Sequence, residues 1–197
     1  MIGLSLHSNR TGEPLFLEPE EREVFFAATK SQEAQAKYFC QMLYYTGARL
    51  NEVLGITYES FDFERKGVMV RTLKQREREV TRFIHLPEAF LEVMNDVFQI
   101  KRNQAVEKKK EERVWGFTGR TGENYIKKVM TLAGISGKKA NARGLRHAFG
   151  FAAAKNNVPT HQLQEWLGHH YPNSTVVYGM LDKEEPRNLA QKLWKKA

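Results

Sequence analysis

ANARGLRHAFGFAAA, residues 140–154, sets Arg143 and Arg146 three positions apart at the front of an apolar run. Residues three apart are neighbours on a helix surface, so one helical face can present both. Ala148, Phe149, Ala152 and Ala153 mark the rest of that helix, about Leu145 to Lys155, as buried. Arginines that lead into an apolar helix need an anion, a carboxylate or solvent. His147 lies in the same run and reads as a core histidine with its polar atoms satisfied. The connection before it, ISGKKANARG (135–144), is basic and contains glycine.

Downstream, Pro159 ends the helix, and Thr160 is placed to cap another that carries Leu163, Trp166 and Leu167. GHHYPNSTVVY, residues 168–178, then offers two histidines and two tyrosines. A short helix is predicted over Thr175 to Tyr178, and a last amphipathic segment includes Leu189, Leu193 and Trp194. Adjacent His169 and His170 do not share a helical face as a metal pair requires.

Upstream, residues 1–17 read as an irregular lead-in. Helices are predicted over Glu20 to Ala28 and Ala34 to Tyr45, interrupted by Gly47, with a short one from Arg49 to Leu54. In TGARLNEVLGI (46–56), Arg49 opens a helix whose unpaired N–H groups already favour an anion, and Glu52 is within its reach. Gly67 to Lys74 and Glu79 to Leu86 read as two strands around a charged turn. That hairpin carries Arg71, Lys74, Arg76, Arg78 and Arg82. A basic turn of this kind tracks a phosphate backbone or enters a groove. One long helix is predicted from Glu88 to Glu107, and another over Tyr125 to Ala133. The fold expected is α+β: mostly helical, with one small antiparallel sheet.

The chain has 197 residues, enough for one domain with a sizeable core. It carries 31 Lys and Arg against 23 Asp and Glu, a formal charge of +8, which favours a polyanion partner. Apolar runs are too short for a membrane-spanning helix, and the first residues turn polar too soon for a signal peptide. The single cysteine, Cys40, excludes an internal disulfide and suits a reducing compartment. No Walker sequence, dinucleotide fingerprint or GxSxG is present.

If Arg49, Lys74, Arg146 and His169 converge, they form a cationic cup for one phosphate. Arginines would stabilise the extra charge of a pentavalent transition state. A lysine of lowered pKa would protonate a leaving oxygen, and a tyrosine in line would attack phosphorus. That scheme needs no metal and no cofactor.

These segments together resemble the catalytic domain of the tyrosine recombinases, or phage-integrase family, over roughly residues 16–190. TGARLNEVLGI resembles the segment of the first catalytic arginine, here Arg49. RTLKQREREVTRFIHLP resembles the hairpin of the catalytic lysine, here Lys74. ARGLRHAFG resembles the HxLRHxFA box, whose arginine falls on Arg146. LGHHYPNSTVVYGM resembles the box in which LGH precedes the nucleophile by nine residues, giving His169 and Tyr178. The spacings of 23 and 9 residues between Arg146, His169 and Tyr178 agree. Tyr171 then reads as surface or core, and His170 has no chemical role. The box normally begins with histidine; here Arg143 stands there, a donor to phosphate oxygen that cannot be a general base.

The resemblance implies site-specific recombination of double-stranded DNA through a 3′-phosphotyrosyl intermediate. It implies a monomer when free, a tetramer on paired sites, no membrane, and an accessory DNA-bending protein as a further partner. The protein would act in the cytoplasm of a bacterium or archaeon, or be phage-borne there. Arg71, Arg76, Arg78, Arg82, Lys138 and Lys139 are the candidate DNA contacts. The expected layout is a lead-in at 1–15, a catalytic domain at 16–180 and a tail helix at 181–197, either exchanged between protomers or folded back on its own core. Most members carry a helical core-binding domain ahead of the catalytic one. A pattern starting near residue 16 fits either a piece of a longer protein or a one-domain member like the fimbrial phase-variation recombinases. Competing readings are a DNA-binding or regulatory module with impaired chemistry, a type IB topoisomerase, and an RNA-binding or structural basic protein.

Overall fold

The computed structural model describes residues 6–7, 12–72, 80–169 and 173–179. Lys74, Arg76, Arg78, His170, Tyr171, Leu189, Leu193 and Trp194 lie outside them.

Helices α1 (Pro19–Thr29) and α2 (Ala34–Thr46) pack side by side and begin the core with Phe25, Phe39, Met42 and Leu43. Helix α2 stops at Gly47, which adopts a left-handed φ of 58° and returns its N–H to the Leu43 carbonyl at 3.0 Å. A Cβ there would lie 2.5 Å from the Phe149 ring, so glycine also permits close packing of the neighbouring helix. Helix α3 (Leu50–Leu54) follows at once, with Arg49 as its N-cap.

Strands β1 (Phe61–Asp62), β2 (Gly67–Thr72) and β3 (Val80–His85) form an antiparallel sheet in the order β1-β2-β3. Val68 pairs with Ile84 and Val70 with Arg82 across the two long strands. Val68, Val70 and Ile84 are buried, which fixes the register, since a slip of one residue would turn them outward. Strand β1 is too short for its two residues to have stood out in the sequence.

The long helix expected from Glu88 to Glu107 is broken in two, α4 (Glu88–Phe98) and α5 (Ile100–Gln104). Gln99 is left-handed, with φ 53°. Its side-chain amide donates to the Asp96 carbonyl, Asn103 donates to the Phe98 carbonyl, and Asn95 accepts from the Lys101 N–H. These bonds occupy groups that the break leaves unpaired. Ile100, beyond the break, is fully buried.

Helix α6 (Gly119–Leu132) starts earlier than the apolar pattern indicated, because Thr118 caps a polar first turn. Helix α7 (Ala142–Lys155) is capped by Asn141, whose Oδ1 accepts from the N–H groups of Arg143 and Gly144. Helix α8 (Thr160–Leu167) begins at Thr160 itself, with Pro159 in the cap position that the sequence suggested for Thr160. Helix α9 (Asn173–Gly179) packs on α7 and α8.

Among the described residues, two hydrophobic clusters result. The larger is centred on Phe25, Phe39, Trp115 and Met130; the smaller gathers Leu6, Phe16, Leu163, Leu167 and Tyr178. Cys40 lies in the larger, and burial pushes its thiol up to about 12, so it is inert. Among the described residues, no helix is long and apolar enough to cross a membrane.

Candidate active site

The site forms where the start of α3, the first half of α7, the end of α8 and α9 meet beside the sheet. Glu52 is its anchor. At the third position of α3, its Oε2 accepts the Arg49 N–H at 3.0 Å, satisfying one unpaired donor of the helix start. Its Oε1 takes the Arg49 guanidinium at 2.6 Å, and Oε2 takes that of Arg82 at 2.6 Å. Burial alone would raise the Glu52 carboxyl, but Arg82 and the hydrogen bonds from both arginines hold it below the usual carboxylate range.

Arg82 corrects the sequence reading. It was expected on a DNA-facing hairpin, yet it is 4% exposed. Its Nε donates to the Trp166 carbonyl at 2.7 Å, one terminal nitrogen donates to Thr72 and the other binds Glu52. Its three guanidinium nitrogens are thus committed inside the protein, tying β2, β3, α3 and α8 together. The signal was in the alternation: Arg82 is two residues from Ile84 and shares its inward face. Lys139 is ion-paired with Glu21 of α1, while Lys138 and Arg71 are exposed.

Arg146 lies deeper than the shared face with Arg143 suggested. It is 7% exposed, whereas Arg143 is exposed. Its guanidinium donates to the Gly47 carbonyl at 2.9 Å and the Leu167 carbonyl at 2.6 Å. Two backbone carbonyls orient the fork without cancelling its charge. Burial, then the nearby charge of Arg49, bring Arg146 down to about 9, still protonated at neutral pH.

Tyr178 is fully buried. Its ring rests on Gly150, where a Cβ would come within 2.6 Å of Cζ. The His169 ring lies nearly parallel, with centroids 6.4 Å apart and planes 11° apart. Burial raises the phenol to about 12, against the opposing pull of Arg146, Arg143 and Arg49. His169 bonds Thr175 through Nδ1 at 2.9 Å; burial, Arg146 and Arg49 push it down to about 3 and keep it neutral.

His147 was read as a satisfied core histidine. It is buried, but one partner is the Tyr178 hydroxyl, 2.8 Å from Nδ1, and the other is Arg143, whose Nε is 3.2 Å from Nε2. Its position four residues after Arg143 was the available signal. Burial, Arg143 and Arg146 lower it to about 4. The structure therefore brings Arg49, Arg146, His169 and Tyr178 into one electrostatic neighbourhood, with Glu52, Arg82 and His147 as its added members. Among the described residues, no cluster of three or more His, Cys, Asp or Glu could hold a metal ion.

A model of the phage integrase family matches residues 16–185. The chain is similar to tyrosine recombinase XerC of Caldanaerobacter subterraneus subsp. tengcongensis, 25% identical over 185 residues that cover 91% of this chain and 51% of the relative. It is also similar to tyrosine recombinase XerA of Thermococcus onnurineus, 26% identical over 154 residues, covering 77% of this chain and 52% of the relative. Among solved structures, XerA recombinase superposes with a TM-score of 0.69 at 22% identity, covering 91% of this chain and 65% of that one. A XerH post-cleavage complex with palindromic difH substrate gives 0.71 at 20% identity, covering 95% and 56%. These structures share the mostly helical fold with its small antiparallel sheet. The chain spans about half the length of these two curated relatives.

Proposed function

This chain belongs to the phage integrase family, and from that premise we propose that it is a site-specific tyrosine recombinase acting on double-stranded DNA. The observation that carries the proposal is the uncancelled charge of Arg146, aimed by two carbonyls, beside the Tyr178 hydroxyl and His169. A similarly folded Tn1549 transposon integrase, solved in complex with transposon right end DNA, supports DNA as the partner.

In this reading Tyr178 Oη attacks a scissile phosphorus as its phenol releases its proton to solvent. The P–O5′ bond breaks, a 3′-phosphotyrosyl bond remains, and Lys74 protonates the departing 5′ oxygen. Arg49, Arg146, Arg143 and His169 stabilise the phosphorane. A 5′-hydroxyl from the partner duplex then attacks the link and reseals the strand. The bond energy is kept in the phosphotyrosyl link, so the steps need no nucleotide cofactor. We take residues 16–180 as the catalytic domain and 181–197 as a tail that docks on a neighbouring protomer in a tetramer on paired sites. Arg71, Arg76, Arg78 and Lys138 are the phosphate contacts of choice, and the cytoplasm is the place of action.

The test is covalent trapping on nicked duplexes from a library of sites, resolved on a denaturing gel with EDTA present. Wild type and Tyr171→Phe should form an adduct, and Tyr178→Phe should form none. Site-specific binding without any adduct in wild type would leave a DNA-binding module in its place. Relaxation of plasmids lacking the site would instead point to a topoisomerase.

A further inference from the structure

Arg143 sits in the first turn of α7, and His147 lies one turn on, 3% exposed. The 3.2 Å contact from Arg143 Nε to His147 Nε2 has only one possible direction. A guanidinium has donors and no acceptor, so Nε2 must offer a lone pair. A neutral imidazole with its lone pair at Nε2 carries its proton on Nδ1. The 2.8 Å contact between Nδ1 and Tyr178 Oη then runs one way as well: the imidazole donates and the phenol oxygen accepts.

We infer that Arg143 fixes His147 as the Nδ1–H tautomer and thereby makes His147 a catalytic hydrogen-bond donor to the attacking oxygen. The inference deepens the recombinase reading and rests on it for the role of that oxygen.

The geometry has consequences for the phenol oxygen. Oη already accepts from His147, so the phenol's own hydrogen points away from the imidazole. His147 presents no lone pair to Oη, so it does not take the phenol proton. As that proton leaves, charge grows on Oη, and a bond to an ionised acceptor is shorter and stronger than one to a neutral group. The donor thus favours the phenolate, against the burial that disfavours it. It also settles where Oη points once Gly150 and His169 have fixed the ring plane. Arg143, exposed and linked to Tyr178 by hydrogen bonds through this ring, acts on the nucleophile as a positioning residue as well as through its charge.

Ring-nitrogen NMR of the free, ¹⁵N-histidine-labelled protein tests this at neutral pH, with the His147 signals assigned by His147→Gln. The proton should be on Nδ1 with Nε2 bare, and Arg143→Ala should shift His147 toward the Nε2–H form. A wild-type His147 protonated at Nε2, or insensitive to Arg143→Ala, overturns the inference. The catalytic side is read on the trapping duplex. His147→Ala should slow adduct formation about 100-fold, the scale of losing one preorganised donor. His147→Asn keeps an N–H near the Nδ1 position and cannot titrate, so it should recover at least about tenfold of that loss. Equal loss in both folded variants overturns the donor role. If wild type forms no adduct, the nucleophile assignment falls, and the ring-nitrogen spectra still decide the tautomer.

Discussion

Arg49 joins two groups of buried charge that are built on opposite terms. On one side, Glu52 is clamped between Arg49 and Arg82, so both cations share one counter-charge and all three guanidinium nitrogens of Arg82 are bonded. On the other, Arg146 is held by the carbonyls of Gly47 and Leu167, and Tyr178 by the neutral ring of His147. The first arrangement spends its charges on one another and fixes the ends of β2, β3 and α3. The second is oriented by dipoles and leaves net positive charge facing the phenol. A buried ion pair holds structure; a buried cation aimed by carbonyls is suited to an anion that arrives later.

The largest expected effect tests the first side. Glu52→Gln leaves Arg82, almost wholly buried, without its counter-charge, and breaking a buried pair in this way costs about 3–5 kcal/mol. Urea unfolding should show that loss as a lower midpoint at unchanged slope. A change below about 1 kcal/mol would mean that the Trp166 carbonyl and Thr72 satisfy Arg82 by themselves.

Arg146→Lys sharpens the contrast from the other side. Lysine keeps the charge but loses the planar fork that reaches two carbonyls at once. Adduct formation should fall about 10²–10³-fold, the scale for losing one aimed donor. The unfolding midpoint should move less than in Glu52→Gln. The reverse ranking would make Arg146 the structural member and end the comparison as drawn.

How much of this was legible in the sequence follows the same division. Helices α1 and α2 and the long strands were placed nearly to their ends, while α7 begins three residues before the expected Leu145 because Asn141 caps it. Arg49, Arg146, His169 and Tyr178 were singled out through spaced motifs, and the structure brings them together. The misses depend on long-range partners. Nothing local marks Gln99 as left-handed, because the break serves the burial of Ile100. Arg82 was given to DNA because it was counted as a charge, when its place on the Ile84 face already turned it inward. His147 is buried with both ring nitrogens bonded, as read, but the sequence did not show that one partner is Tyr178, 31 residues away.

Acid should separate the two groups. Burial lowers His147 to about 4 and His169 to about 3 from an ordinary 6.5. Between those values the unfolded chain binds protons that the folded chain refuses, so stability is complete above about 6.5 and falls as pH drops. For His147 the slope is at most about 1.4 kcal/mol per pH unit; the more open His169 contributes less. Glu52 titrates below the usual carboxylate range, so its contribution is lost only at lower pH. Thermal unfolding from pH 8 to 5 should therefore report on the histidines, and His147→Gln should flatten that slope while Glu52→Gln leaves it in place.

The smallest effect concerns Lys139, which the comparison puts in question. Like Arg82, it was assigned to DNA; like Arg82, it has a carboxylate partner, Glu21. The difference is solvent: the Lys139 and Glu21 side chains are 20% and 28% exposed, against 3% for Arg82. A pair this open is worth about 0.2–1 kcal/mol, so Lys139 is able to leave it for a phosphate. Glu21→Gln should lower stability by no more than that amount. If Lys139 belongs to the DNA surface, the same change frees it, tightens duplex binding at low salt and steepens the dependence of log affinity on log salt by up to about 0.9, the share of one phosphate. If Lys139 is a tether between α1 and the turn before α7, that slope will not move. Filter binding of the Gln variant across a salt series thus decides whether exposure or pairing governs what this lysine does.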